Sequence, residues 1–309
     1  MDSAYGIVLA QTDPAAGAGG GTRCYLVSDL HGNTGKYKAL FSALSSDPPS
    51  ALFLAGDILP PPVAAPKSWD MTRLDFVNDF LARHLEHLRR ELGERYPSIY
   101  LILGNDDARF EEASVMTATT RHVWNYAHNR RFRFRDYSIY GYSYIPPSPF
   151  QNKDWERYDV SRYVDPGCVS PEDGFLTVPV SPRERRFSTI AKDLEALTEG
   201  DDLSRAVLLT HVPPYESGLD RADLDGTIVD GVPMDVHIGS IALRRLIQQK
   251  QPLVTLHGHV HESFRVAGVF KQQIGRTWCL SAADEGPGLT VVDFRLTDPG
   301  SAERRTIPV

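Results

Sequence analysis

The chain of 309 residues lacks any apolar run near the roughly 20 residues that a membrane-spanning helix requires. Its beginning carries no basic stretch followed by an apolar core, so no secretory leader is expected. Cysteine is scarce. Cys24, Cys168 and Cys279 stand far apart with no Cys-x-x-Cys pair, and buried reduced thiols in a cytoplasmic protein are the expectation. Positive charge is not in excess: 33 Lys and Arg against 40 Asp and Glu leave a formal net charge of −7. That balance argues against a general nucleic-acid or membrane-surface binder, while allowing a local basic pocket. Neither a Gly-x4-Gly-Lys-Ser/Thr loop nor a Gly-x-Ser-x-Gly elbow occurs, which sets aside P-loop and serine-hydrolase chemistry. The aromatic residues show no order suggesting a base-stacking platform.

What remains is an ordinary globular composition, 41% hydrophobic and 24% charged, long enough to bury a core without staples. Short apolar runs alternate with helical patterns, the signature of an α/β protein. Strands are expected at Tyr25–Ser28, Ala51–Ala55, Ile99–Leu103, Ala206–Thr210 and Pro252–Leu256, with others at Tyr137–Ile145, Thr277–Ser281 and Leu289–Leu296. Amphipathic helices are expected at Thr34–Leu44, Asp70–Leu92, Arg183–Leu197 and Ser240–Gln249. On the third of these, Phe187, Ile190, Leu194 and Leu197 share the apolar face. Residues 1–21 read as a flexible lead-in and 22–309 as a single domain with insertions near 59–68, 146–182 and 212–239.

Each of the first five apolar runs ends in polar residues suited to a metal. After them come Asp29-Leu30-His31-Gly32-Asn33, Gly56-Asp57, Gly104-Asn105-Asp106-Asp107, His211, and His257-Gly258-His259-Val260-His261. Functional groups of open α/β sheets collect past the carboxyl ends of strands, so these groups can meet. Carboxylate, imidazole and amide donors without thiolate suit Mn, Fe or Zn. Two such ions can clamp a phosphoryl group and acidify a bridging water. Asp-x-His or Gly-Asp alone is usually a turn, and Gly-His-x-His is more specific; five in register are hard to reach by coincidence.

This set resembles the calcineurin-like metallophosphoesterases, whose pattern is Asp-x-His, Gly-Asp, Gly-Asn-His-Asp/Glu, a lone His, then Gly-His-x-His. The matching motifs run from Asp29 to His261. The resemblance implies an αββα four-layer sandwich of two mixed β-sheets flanked by helices. It implies two divalent metal ions, with manganese the expected activator in vitro. Asp29, His31 and His261 would hold the first, Asn105, His211 and His259 the second, and Asp57 would bridge. It also implies a hydroxide held by the metals attacking a phosphodiester, phosphoanhydride or activated phosphate ester of a small substrate.

One motif departs from the family. Asp106 stands where most members carry a His that contacts the phosphate and can protonate the leaving group, and Asp107 fills the following acidic position. Asp106 acts as a general acid in one reading; in the other no protein acid is used and the leaving group departs as a stable anion. The second is favoured, because nearby dications lower a carboxyl pKa. Arg109 is a candidate to replace the imidazole as a bidentate phosphate donor. Asn33 is either a helix cap or a phosphate contact, and His257 either supports the ligands or packs at a strand end. The Lys153–Arg162 cluster could line an anionic pocket, or be a solvated insertion or oligomer contact. His84, His87, His122, His128 and His237 have no motif context and read as structural. Two rival functions are a non-catalytic scaffold of the same fold, which Asp106 favours, and a nuclease of the same family, which the acidic charge disfavours.

Overall fold

The segment Ala51–Ala55 shows how the layers arise. All five of its side chains are buried. Ala51, Phe53 and Ala55 join one apolar cluster, whereas Leu52 and Leu54 join another. A strand whose two faces both meet apolar partners has to lie between two layers.

The structure, a computed structural model, describes residues 22–61 and 75–309. In chain order the strands are β1 (Arg23–Val27), β2 (Ala51–Ala55), β3 (Ser98–Ile102), β4 (Asn125–Tyr126), β5 (Arg130–Phe134), β6 (Tyr137–Tyr142) and β7 (Ala206–Thr210). There follow β8 (Ile228–Val229), β9 (Val232–Pro233), β10 (Val254–His257), β11 (Lys271–Ile274), β12 (Thr277–Ser281), β13 (Leu289–Arg295) and β14 (Asp298–Ile307). The helices are α1 (Thr34–Ser46), α2 (Arg83–Leu92), α3 (Glu112–Ala118), α4 (Pro182–Phe187), α5 (Ile190–Leu197), α6 (Ile241–Lys250) and α7 (Ser263–Ala267).

Two six-stranded sheets form, in the orders β14-β13-β1-β2-β3-β4 and β11-β12-β10-β7-β6-β5, and β8 pairs with β9 alone. Both sheets are mixed. β1 to β4 run parallel, with β13 antiparallel to β1. β6, β7, β10 and β12 run parallel, with β5 and β11 antiparallel at the margins. Between the sheets lie Leu26, Phe53, Ile102, Ile139, Leu209, Leu256 and Phe294. Helices α1 and α2 pack Tyr37, Leu40, Leu44, Leu85 and Leu88 against Leu52 and Leu54, and α5 and α6 pack Leu194, Leu243 and Ile247 against Tyr140 and Leu208. The result is the expected αββα sandwich. No helix among the described residues is long and apolar enough to cross a membrane.

Some elements differ from expectation. The helix expected over Arg183–Leu197 is two. Thr189 is extended, pairs with Tyr158, and caps α5 by accepting from Lys192 N–H. The break turns Phe187 outward, 56% exposed, rather than into the apolar face. Ahead of α2 the chain forms a π-helix, Phe76–Ala82, capped by Asp75. The first residues of the helix expected at Asp70, the lead-in at 1–21, and most of the 59–68 insertion lie outside the described residues. β4, β5, β11 and β14 were not expected, and they are the four sheet edges.

Candidate metal centre

The carboxyl ends of five parallel strands, three in one sheet and two in the other, deliver every candidate ligand to one edge of the sandwich. Backbone hydrogen bonds zip the turns after β1 and β2 together: Asp29 N–H donates to Gly56 O (3.1 Å), His31 N–H to Asp57 O (2.8 Å) and Gly32 N–H to Ile58 O (3.2 Å). Gly258 N–H donates to His211 O (3.0 Å) between neighbouring turns of one sheet, and His259 N–H, donating to Asp29 Oδ1 (3.1 Å), joins the two sheets. Asp29, His31, Asp57 and His259 all have positive φ, at 57°, 44°, 51° and 77°. L-residues reach that region at a cost, and such strain gathers at functional sites. Gly104 and Gly258 serve close approach instead. A Cβ on Gly104 would collide with Asp57 Oδ1, and one on Gly258 would sit 2.8 Å from Asp29 Oδ2.

Asp29, His31, Asp57 and His261 each point one donor atom into a common space, all within 4.8 Å of one another. His261 Nε2 lies 3.2 Å from both Asp29 Oδ1 and His31 Nε2. A second group adjoins through Asp57, whose Oδ2 is 3.2 Å from His211 Nε2. His211 Nε2 also lies 3.0 Å from Asn105 Oδ1, and its ring stands 5.1 Å from that of His259. His211 Nδ1 faces Ala55 O at 2.7 Å, so Nδ1–H donates there and Nε2 is the nitrogen left to face a metal, should one bind.

The electrostatics fit a cation. Burial raises the Asp29 pKa, yet His261 holds it far below the usual carboxylate range. Burial likewise opposes Asp57, and His211 draws it down. Burial disfavours protonated His211, but Asp57 lifts its pKa to about 10, and Asp29 likewise lifts that of His261 to about 9. His259 is pushed down to about 3 by burial and by His211, leaving a neutral imidazole. His211 Nε2 faces two acceptor oxygens, an arrangement that needs either a proton or a metal at its centre. The donor set therefore fits a divalent metal, taken from hard carboxylate, amide and imidazole ligands.

The other singled-out residues fall as follows. Asp106 is partly exposed; its Oδ1 accepts from Asn105 Nδ2–H (3.0 Å) and its Oδ2 lies 3.6 Å from His31 Nδ1. Asp107 is fully buried and accepts from the N–H groups of Ile58, Leu59 and Gly104. Asn33 caps α1, its Oδ1 accepting from Gly35 and Lys36. Arg109 lays its guanidinium over Trp155 (5.3 Å) and Tyr144 (5.8 Å), with Glu112 at 3.5 Å. His257 is a packed strand-end residue between Thr210 and Thr255. The cations of the Lys153–Arg162 run are paired: Lys153 with Glu156 (2.5 Å), Arg157 with Asp193 and Glu184, and Arg162 with Glu172. Each of these cations already has a carboxylate partner. Sequence reasoning missed Trp155, which donates Nε1–H to Asp107 O (2.8 Å), and Asp154, which accepts from Arg109 N–H (2.8 Å). Both fasten the 146–182 insertion to the ligand loop, and nothing local in their sequence signals it.

Comparison with known proteins agrees with this arrangement. One solved structure aligns over 93% of this chain and 99% of its own with TM-score 0.57 and 17% identity. Protein TT1561 of Thermus thermophilus aligns over the same shares with TM-score 0.51 and 16% identity. At such identities the likeness extends to the fold alone. A comparison with curated proteins finds no match. The sequence profile of the calcineurin-like phosphoesterases, by contrast, matches residues 22–263, a span holding all five motifs and every donor described above. With most of its length matched, and with the donors gathered where the motifs foretell, the chain belongs to the calcineurin-like phosphoesterase family.

Proposed function

We propose that the chain binds two divalent metal ions and hydrolyses a phosphodiester, phosphoanhydride or activated aryl phosphate in preference to a simple alkyl monoester. The observation that carries the reading is the place of Asp57. One of its oxygens sits 3.2 Å from His211 Nε2, and the same carboxylate belongs to the cluster of Asp29, His31 and His261. Asp29, His31 and His261 would hold one ion, Asn105, His211 and His259 the other, and Asp57 both. The ions, when bound, supply charge for the phosphoryl oxygens and acidify water.

The preference for a good leaving group rests on Asp106. Burial and Asp57 raise the Asp106 pKa, but two bound dications would hold the carboxyl ionised with no proton to give, so an alkoxide would leave unaided. Arg109 is offered as a phosphate contact, its guanidinium steadied by two aromatic rings, and Asn33 as another through the amide nitrogen that capping leaves unused. The expected partner is a small phosphorylated molecule.

The test strips metal from the protein, restores manganese, and compares an aryl phosphodiester, a nucleoside diphosphate conjugate and an alkyl monoester. Metal-dependent turnover of the first two, lost in Asp57→Asn, is the expected outcome. Equal turnover of the alkyl monoester would refute the leaving-group argument. Two metals bound with no turnover of any phosphate ester would refute hydrolysis itself and return the chain to a scaffold role.

A further inference from the structure

We infer that Asp106 is a positioning residue that braces two metal ligands, His31 and Asn105, from outside the ligand set. The inference rests on the metal-binding reading above and gives a role to the position where the chain departs from its family's motif.

The geometry is reciprocal. Asp106 Oδ1 accepts from Asn105 Nδ2–H at 3.0 Å, while Asn105 Oδ1 lies 3.0 Å from His211 Nε2. An amide has one metal-binding atom, its oxygen, and engaging the nitrogen with a carboxylate turns that oxygen toward the cluster. Asp106 Oδ2 lies 3.6 Å from His31 Nδ1, while His31 Nε2 lies 3.2 Å from His261 Nε2. An imidazole with Nδ1 beside a carboxylate keeps its hydrogen there and presents the Nε2 lone pair to a cation. In both side chains one end lies beside Asp106 and the opposite end lies beside another candidate ligand. Asp106 is itself fixed, since its N–H donates to Asp57 Oδ1 at 2.8 Å.

The residue type follows. Asn105 donates an N–H to one oxygen and His31 Nδ1 stands at ion-pair distance, 3.6 Å, from the other, so the brace uses both oxygens of one short side chain. A carboxylate has them, whereas a neutral imidazole has a single acceptor nitrogen. The family's His at this position could not hold both ligands in this way.

The test measures binding of manganese alone to the full chain, by calorimetric titration and by the resonance spectrum of the bound ion, for wild type, Asp106→Ala, Asp106→Asn and Asp106→His. Asp106→Ala is expected to weaken manganese binding about 10–100-fold, the usual cost of removing such a support. Asp106→Asn keeps one acceptor and should fall between it and wild type, and Asp106→His should resemble Asp106→Ala. Thermal unfolding in chelator should be unchanged throughout. Wild-type affinity in Asp106→Ala would overturn the inference while leaving the metal site intact. So would an equal loss of metal-free stability, which would place Asp106 in folding. A wild-type chain that binds no manganese would overturn the metal reading together with it.

Discussion

Asp107 offers the sharpest check on how the ligand loops are held. Its carboxylate is buried and accepts from Leu59 N–H (2.7 Å), Gly104 N–H (2.9 Å) and Ile58 N–H (3.2 Å). Burial and the nearby Asp57 push its pKa up, and the three N–H donors oppose them. Asp107→Asn is nearly isosteric but carries only one acceptor atom. The best amide orientation keeps the oxygen on Ile58 and Gly104, leaving the amide nitrogen against Leu59 N–H. One buried donor then loses its partner, at about 1–3 kcal/mol, and two charge-assisted bonds become neutral, at about 1 kcal/mol each. The sum, about 3–5 kcal/mol, is a large share of the roughly 5–15 kcal/mol stability of a folded protein. Urea unfolding of the metal-free chain at neutral pH should show it as a lower midpoint with unchanged slope. Because the same bonds tie the Asp57 turn to the Asn105 turn, manganese affinity should fall in parallel. A variant that unfolds within about 0.5 kcal/mol of wild type would refute the reasoning, showing that the carboxylate is not the acceptor this geometry requires.

Other outcomes follow from the same structure. Lys153→Met leaves the Glu156 carboxylate buried without its cation, and should destabilise by about 3–5 kcal/mol, with Lys153→Met/Glu156→Gln recovering much of the loss; a double-mutant cycle with no coupling would contradict this. His128 has its pKa pushed well below the ordinary value by burial, then by Arg157 and Arg109. The unfolded chain therefore gains a proton below pH ~6.5 that the folded chain does not, and stability present above that pH drains by up to about 1.4 kcal/mol per unit below it. The difference in unfolding free energy between wild type and His128→Gln should accordingly shrink from pH 7 to pH 5.5, and a pH-independent difference would rule the cause out. Gly104→Ala would set a Cβ against Asp57 Oδ1 and 2.7 Å from His211 Cε1. Its manganese affinity, read by titration, should fall at least tenfold, and unaltered binding would mean that the two ligands can shift freely.

The parts of the molecule legible in sequence were those where burial leaves a period or a motif. The central strands β2 and β7 read as unbroken apolar runs because both faces are covered, and their bounds match the structure residue for residue. The edge strands were illegible for the complementary reason. β14 alternates exposed Asp298, Ser301, Glu303 and Arg305 with few apolar residues, and β5 reads Arg-Arg-Phe-Arg-Phe. Charge on an edge blocks further pairing, and it also erases the hydrophobic signal. The side chains that gather at the strand ends were readable since each motif lies in a few consecutive residues. Their supports were not. Trp155 reaches Asp107 O across 48 positions of sequence, and Asp159 caps α6 from 82 positions away, bonding Ile241 N–H. The break at Thr189 depends on its pairing with Tyr158, a contact with an insertion whose composition suggested only loop.

The supports and the strain answer one another. Four candidate ligands hold left-handed backbone, at about 1–3 kcal/mol each for residues other than glycine, and Asp and His are among the types that tolerate it best. A metal could compel that conformation, but then the turns would need little else. Instead the turns are bonded to each other through Gly56 O, Asp57 O and Ile58 O, and Asp107 ties the second turn to the third. Trp155 then pins Asp107 from the insertion side. The strained conformations of Asp29, His31 and Asp57 are thus held by backbone contacts, whereas His259 N–H leans on Asp29 Oδ1. A site built this way would meet a cation already shaped, so binding free energy would go into coordination rather than into ordering the chain. The 146–182 insertion, through Trp155 and Asp154, belongs to that framework as much as the sheets do.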